Sequence, residues 1–452
     1  LCTIPANVKK KTELMTTEEF IALHRNDNVR QLALTAARHK EVDMKFALEQ
    51  ISGWQQAQRK LPSWAAADGL VFPPHINMEQ CSSEATARYK AALAQRIARQ
   101  DTAAGTGAAA TPGGITTIAD LTGGFGVDFT FMAKGFDKAT YIERNPALCD
   151  IARNNFARLG LPDAAIICAD STAALATLPC QTLLYADPAR RDSHGGKTVL
   201  MADCTPDITS LLPLLFKKAQ LVMVKLSPML DWHKAMADLD GSVAEVHIVA
   251  LQGECKELLL VLDASLHGNL SHPVRIVCAD MVRDNGGTAC GQVMPGLRTL
   301  TFEYELHTGS PDEPAPSVAP DAMLRDTTQP LFLHEPNAAV MKAGCFGRMA
   351  ERFGVMAVSR NSHLFLARSR TADFPGRTFV VEAVGTMNRK ELRTMLAGTE
   401  KANIAVRNFP LSADALRKRL KLGDGGETYI FATTSAAGDH LLFKCRKGKE
   451  GD

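Results

Sequence analysis

The stretch IADLTGGFGVDF, Ile118 to Phe129, carries residue types that can hold a nucleotide-like cofactor. Gly123, Gly124 and Gly126 have no Cβ, so a ligand can approach the backbone closely and positive φ carries little steric cost. Asp120, Thr122 and Asp128 set polar side chains around this turn. In an open α/β sheet such a turn lies outside the carboxyl ends of the strands, where cofactors bind. Glu143 ends the next apolar run, ATYIERN, where an acid accepts hydrogen bonds from two ribose hydroxyls. Asp170, followed by Ser171, ends a third run in CADS, where a carboxylate can bond an adenine amino group. Each acid alone reads as a solvated loop residue; at the ends of three successive strands they make an adenosyl pocket. A dinucleotide fingerprint fits less well, because G-x-G-x-x-G from Gly124 and Gly126 would need glycine at Phe129.

A second constellation follows. The fourth apolar run ends in Tyr185-Ala186-Asp187-Pro188-Ala189-Arg190-Arg191, and the fifth, AQLVMVKLSP, carries Lys225. Arg190 and Arg191 suit a grip on a base or phosphate, or a salt bridge to acids such as Asp192. Lys225 suits a phosphate or carboxylate contact, or a counter-ion for Asp187. His194, alone in the loop SHGGK, is either a general base or a solvated side chain.

These residues need a sheet to place them. ITTIADLT, ATYIERN, AAIICAD, QTLLYADP and AQLVMVKLSP are short apolar runs separated by helices or longer loops. One helix is NPALCDIARNNFARLG, and another is PDITSLLPLLFKKA with Thr205 as its cap and Pro206 at its first position. Strands alternating with helices imply a parallel sheet covered on both faces. SVAEVHIVA and KELLLVLD are separated only by LQGEC, too short for a parallel crossover, so they must pair antiparallel.

A parallel core closed by such a hairpin resembles the Rossmann-like sheet of class I S-adenosylmethionine-dependent methyltransferases. The DLTGGFGVD and ADPARRD segments sharpen the likeness to methyltransferases in which (D/N)-P-P-(Y/F/W) follows the fourth strand. The resemblance implies S-adenosylmethionine as cofactor. It also implies that Asp187 and the Pro188 loop accept hydrogen bonds from a target amino group, holding its lone pair in line with the methyl group. Methyl transfer is a direct displacement, so positioning is most of the catalysis. Ala189 and Arg190 depart from the motif, and the stacking aromatic is missing. EQCSSEATARYKA, VKLSPMLD, HEPNAAVMKAG and FPGRTF extend the likeness to a bacterial methyltransferase group with a THUMP-like C-terminal module, over roughly residues 70 to 446. By analogy with THUMP proteins this implies an RNA substrate.

The remaining chain is read from composition and pattern. Its 452 residues predict two to four domains, and 46% hydrophobic with 22% charged residues is typical of a globular chain. Residues 1–100 hold 14 Lys/Arg against 10 Asp/Glu, and 377–452 hold 14 against 9, so basic ends flank an acidic centre. The boundaries expected are a helical domain over 1–100, a linker over 101–114, a methyltransferase domain over 115–268, a ferredoxin-like or α/β insert over 269–376, and a THUMP-like domain over 377–452. Helices are expected over 12–60 and 83–100; Arg88, Lys90, Arg96 and Arg99 on the latter read as a solvated face or a phosphate-contacting arm. PNAAVMKAGCFGRMAERFG reads as one amphipathic helix. The eleven cysteines show no C-x-x-C, so neither a zinc module nor a disulfide framework is expected. With no apolar leader or membrane-length run, the expectation is a cytoplasmic protein with no metal and no membrane partner. Oligomeric state is not legible.

Three functions fit. The first is methylation of a nitrogen of an RNA base, with basic terminal modules holding the RNA. The second is methylation of a small molecule or protein. The third is a non-catalytic RNA-binding protein that keeps only the cofactor pocket; a retained Asp187 argues against it, and the Ala189-Arg190 pair argues for it.

Overall fold

The computed structural model describes residues 15–104, 115–190, 201–283, 292–294, 296–307, 314–326 and 328–448. The expectations placed on residues 105–114, on Arg191, Asp192 and His194, and on the Arg190 side chain lie outside the described residues. Two compact units form: Leu1–Lys225 with Leu262–Ser265, and Leu226–Val261 with Leu266–Asp452.

The first unit opens with helices. Thr16 and Glu19 form a capping box for α1, Thr17–His24. The helical stretch expected over 12–60 is built from successive short helices. Asn28 caps α2 (Val29–Thr35) and Asp43 caps α3 (Met44–Lys60), because each side chain accepts backbone N–H bonds that would otherwise be unsatisfied. Pro62–Ala65 (α4), His75–Gln80 (α5) and Glu84–Ala104 (α6) follow, so α6 runs four residues into the expected linker. Ala87, Ala91, Ala94, Ile97 and Ala98 form its buried stripe.

Four strands of the sheet come next: β1 (Thr117–Asp120), β2 (Lys138–Glu143), β3 (Ala165–Cys168) and β4 (Gln181–Ala186). Ala189–Arg190 (β5) and Cys204–Thr205 (β6) make a short separate ladder, and β7 spans Ala219–Leu226. β1 pairs with β2 and β4, β2 with β3, and β4 with β7, all parallel. The spatial order β7-β4-β1-β2-β3 brings the ends of β1, β2 and β4 together. The connecting helices are α7 (Val127–Ala133), α8 (Pro146–Arg158), α9 (Ser171–Thr177) and α10 (Ile208–Lys218). Asp207, not Thr205, caps α10, because its carboxylate reaches the N–H groups of Thr209 and Ser210. Phe129, Tyr141 and Phe156 pack as edge-to-face and tilted rings between α7, β2 and α8.

In the second unit, α11 (Trp232–Ala237) precedes β8 (Val243–Leu251) and β9 (Glu254–Asp263). These neighbours are joined by two residues at positive φ, Gln252 and Gly253, the signature of an antiparallel hairpin. The sheet does not stop there. β10 (Pro273–Arg283) runs parallel to β8, β12 (Leu297–His307) antiparallel to β10, and β11 (Gln292–Met294) antiparallel to β12. β10, β12 and β11 thus pair outward in turn from β8 rather than forming a module of their own. Val274 and the run Ile276–Met281 are buried, so β10 needs neighbours on both sides.

A second sheet follows α12 (Asp321–Arg325). Its strands are β13 (Phe332–Pro336), β14 (Met356–Ala357), β15 (Phe365–Ala367), β16 (Gly376–Thr386), β17 (Lys401–Arg407), β18 (Gly423–Thr434) and β19 (His440–Lys447), in the order β14-β15-β13-β16-β19-β18-β17. The expected single helix over PNAAVMKAGCFGRMAERFG is two, α13 (Ala338–Ala343) and α14 (Phe346–Phe353), because Gly344 adopts φ 75° and ends the first. α15 (Arg389–Met395) and α16 (Ala413–Leu420) complete the C-terminal module.

Candidate active site

The three glycines of the turn do different jobs. A Cβ on Gly123 would lie 2.1 Å from the Tyr141 ring, and one on Gly126, at φ +83°, would meet Phe156 at 2.7 Å. Both positions are glycine because aromatic rings close over the turn. Gly124 is different: at φ +55° its Cβ would meet nothing nearer than Thr122 O at 3.7 Å. That face of the turn is open, which is what close approach of a ligand to the backbone requires.

Glu143, half-buried at the end of β2, closes over the same turn. Gly124 N donates to its Oε2 at 2.9 Å and Asn145 N to its Oε1 at 2.8 Å. Tyr141 Oη donates to Gly124 O at 2.5 Å. Each carboxylate oxygen has a second lone pair, so Glu143 retains capacity for ligand hydroxyls. Asp170 is exposed and caps α9, with Thr172 N donating to its Oδ1 at 2.9 Å; Ser171 is the first residue of that helix. The open face at Gly124 and the acids ending β2 and following β3 fit an adenosyl group. Phe129 is fully buried in the aromatic cluster, so the third glycine of a dinucleotide fingerprint has no equivalent.

Asp120 ends β1 almost fully buried, and burial pushes its carboxyl up to about 8 despite bonds from Thr122. Thr122 joins the two halves of the site. Its hydroxyl donates to Asp120 Oδ1 at 3.3 Å and accepts from Asp187 N at 2.6 Å. The loop after β4 is thereby tied to the glycine turn. Pro188 is buried, and the Asp187 side chain is 38% exposed, with Lys225 Nζ donating to its Oδ2 at 2.5 Å.

Asp128 belongs to this second half. Ser82 Oγ and Tyr185 Oη each donate to its Oδ2 at 2.9 Å, Lys90 Nζ lies 3.2 Å from its Oδ1, and Lys225 Nζ lies 3.9 Å from its Oδ2. Burial raises its carboxyl, but Lys90, Lys225 and the two hydroxyl donors outweigh burial and hold it below the usual range. Those partners occupy the Asp128 carboxylate within the protein.

Lys90 departs from both readings of α6, whereas Arg99 on the same helix is exposed. Lys90 is fully buried, neither solvated nor reaching for phosphate. Arg88 stays partly exposed but donates to Glu84 Oε1 and covers the Phe131 ring at 5.0 Å. The signal for Lys90 was positional, since it lies beside Ala91 and between Ala87 and Ala94 on the helix's apolar stripe. Ser82, Tyr185, Lys60 and Cys81 were also missed. Lys60 Nζ donates to Met78 O and Glu79 O, and burial lowers its amine. Burial raises the neighbouring Cys81 thiol. Among the described residues, no group of three or more His, Cys, Asp or Glu is placed to hold a metal ion, and no helix is long and apolar enough to cross a membrane.

The parallel strands, the hairpin and the glycine turn make this the fold of class I methyltransferases, with small α/β modules at the C-terminal end. A THUMP domain-like family matches residues 376–447, and a ferredoxin-like domain family matches residues 332–375. The chain is similar to a protein from Porphyromonas gingivalis W83, described as a "putative methyltransferase", with 28% identity, 95% of this chain and 97% of that chain covered, and a TM-score of 0.73. An rRNA methylase from Streptococcus thermophilus aligns at 12% identity over 33% of this chain and 87% of its own, with a TM-score of 0.26. An O-methyltransferase from Bacillus cereus aligns at 11% identity over 47% and 90%, with a TM-score of 0.28. No curated protein sequence matches the chain.

Proposed function

We propose that the protein is an S-adenosylmethionine-dependent methyltransferase acting on a nitrogen of an RNA base. The observation that carries this reading is the Thr122 bridge, which sets Asp187 beside a glycine turn whose Gly124 face is open. Glu143 would hold the ribose hydroxyls, Asp170 and Ser171 the adenine edge, and the glycine turn with Asp120 the rest of the cofactor. The cofactor supplies a methyl group on a sulfonium sulfur. Asp187 accepts an N–H of the acceptor and holds its lone pair toward that methyl, while Lys225 fixes the carboxylate rotamer. Pro188 stiffens the loop, and Arg190 is placed by sequence where it can meet the base or its phosphate.

RNA as the acceptor is supported by the THUMP-like match and by exposed cations on two helices of that module. These are Arg389, Lys390 and Arg393 on α15, and Lys418 and Arg419 on α16. Such a surface neutralises phosphates and releases counterions, so binding should weaken steeply with salt. The Ala189-Arg190 pair in place of proline and an aromatic favours instead the non-catalytic RNA-binding reading.

The test is transfer of a labelled methyl group to RNA, protein and small-molecule fractions from cells lacking the gene. Label in RNA that disappears with Asp187→Ala, at unchanged cofactor affinity, supports the proposal. A fully active Asp187→Ala protein removes Asp187 from catalysis. Label confined to protein or small molecules selects the small-molecule or protein reading.

A further inference from the structure

We propose that Lys90, on the N-terminal helix α6, is a positioning residue for Asp187, acting through Asp128 and Lys225. The inference rests on the methyltransferase reading and deepens it: the N-terminal helical segment becomes part of the acceptor site.

Four side chains of alternating charge stand in series. Lys90 Nζ is 3.2 Å from Asp128 Oδ1, Asp128 Oδ2 is 3.9 Å from Lys225 Nζ, and Lys225 Nζ is 2.5 Å from Asp187 Oδ2. The Lys90 side chain is 0% exposed, Asp128 11% and Lys225 13%, so only Asp187, at 38%, meets solvent to any extent. The first three charges are shielded little by water and feel one another strongly. Asp128 cannot swing away, because Ser82 and Tyr185 hold its Oδ2, and Lys90 Nζ donates to Ser82 Oγ at 3.1 Å. Lys225 therefore lies between two carboxylates, one clamped from behind by Lys90 and one facing the acceptor.

Removing the Lys90 charge leaves Lys225 as the cation paired with Asp128 among the described residues. Lys225 is then drawn toward Asp128, its proton is held more tightly, and Asp187 loses its anchor. Among the described residues, ionisable groups facing this pair include Lys60 from α3, Cys81 before α6, Tyr185 from β4 and Asp120 from β1. None of them replaces a cation at Asp128 Oδ1. A purely structural tie between α6 and α7 would change only the melting temperature.

The test follows Lys225 by lysine side-chain NMR in the full chain, with Lys225→Arg assigning its signal. Lys90→Met is expected to raise the Lys225 titration midpoint by about one pH unit, as removal of a like charge behind a shared carboxylate should. Lys90→Arg should return it toward the wild-type value. In methyl transfer, Lys90→Met should lower kcat at least about tenfold, ~1.4 kcal/mol of barrier, with KM for the cofactor changed less than twofold. Should Lys90→Met fail to fold, Tyr185→Phe removes one donor to Asp128 and should move the midpoint in a readable, smaller step. An unmoved midpoint in the folded variant overturns the proposal. A wild-type protein that shows the coupling but transfers no methyl group sinks the methyltransferase reading and leaves the charge series standing.

Discussion

The two halves of the candidate site are assembled in opposite ways. The cofactor half is local: one turn after β1, one acid ending β2 and one after β3, each placed by its own strand. The acceptor half is collected from four elements, with Lys90 on α6, Asp128 on α7, Asp187 after β4 and Lys225 on β7. Backbone conformation dominates the first half, and buried charge dominates the second. Short motifs therefore specify where a cofactor can lie. What happens to the acceptor depends on packing between distant segments.

The largest effect that would sharpen this contrast comes from the turn. Gly123→Ala forces a Cβ to within 2.1 Å of the Tyr141 ring. It should destabilise the protein by about 3 kcal/mol in urea unfolding, the upper end of overpacking costs. A loss near zero would show that Gly123 is not required by packing.

Next comes Asp120, whose carboxyl is pushed up to about 8 by burial. The folded protein keeps that proton where the unfolded chain, at its ordinary 3.8, has released it. Unfolding therefore releases a proton between about pH 4 and pH 8, so this group's contribution to stability is fully present below that window and is lost as pH rises through it. Asp120→Asn should flatten the decline seen in thermal unfolding at several pH values. A slope unchanged by the substitution would remove Asp120 as its source.

The smallest stability effect belongs to Gly124→Ala. Its Cβ meets open space, so the cost is that of positive φ alone, about 1 kcal/mol. Cofactor affinity should nonetheless fall. If Gly124→Ala and Gly123→Ala lose equal stability and equal affinity, the division between packing glycines and a ligand-facing glycine is broken.

The conformation of the glycine turn and the strand-end places of Glu143 and Asp170 were legible because their determinants are near neighbours in sequence. Glycine spacing and acids at strand ends need only the knowledge that the runs are strands. The acceptor half was harder for a specific reason. Asp128 follows the glycine turn by two residues and reads as part of it, but it lies in the first turn of α7, where Lys90, Ser82 and Tyr185 take its carboxylate. Lys90 reads as surface charge unless its place on the apolar stripe of α6 is weighed above its type. In the fold, the β8–β9 hairpin was legible from its short link. The pairing of β10 with β8 was not, since nothing local distinguishes a strand that extends a sheet from one that begins a new module.

The proposed activity requires an adenosyl pocket at the glycine turn, and calorimetry with S-adenosylmethionine tests for it most directly. The wild-type protein should bind. Glu143→Ala should weaken binding at least about tenfold, ~1.4 kcal/mol, a modest loss for charge-assisted bonds to two hydroxyls. No binding by the wild-type protein, or unchanged affinity in Glu143→Ala, would contradict it.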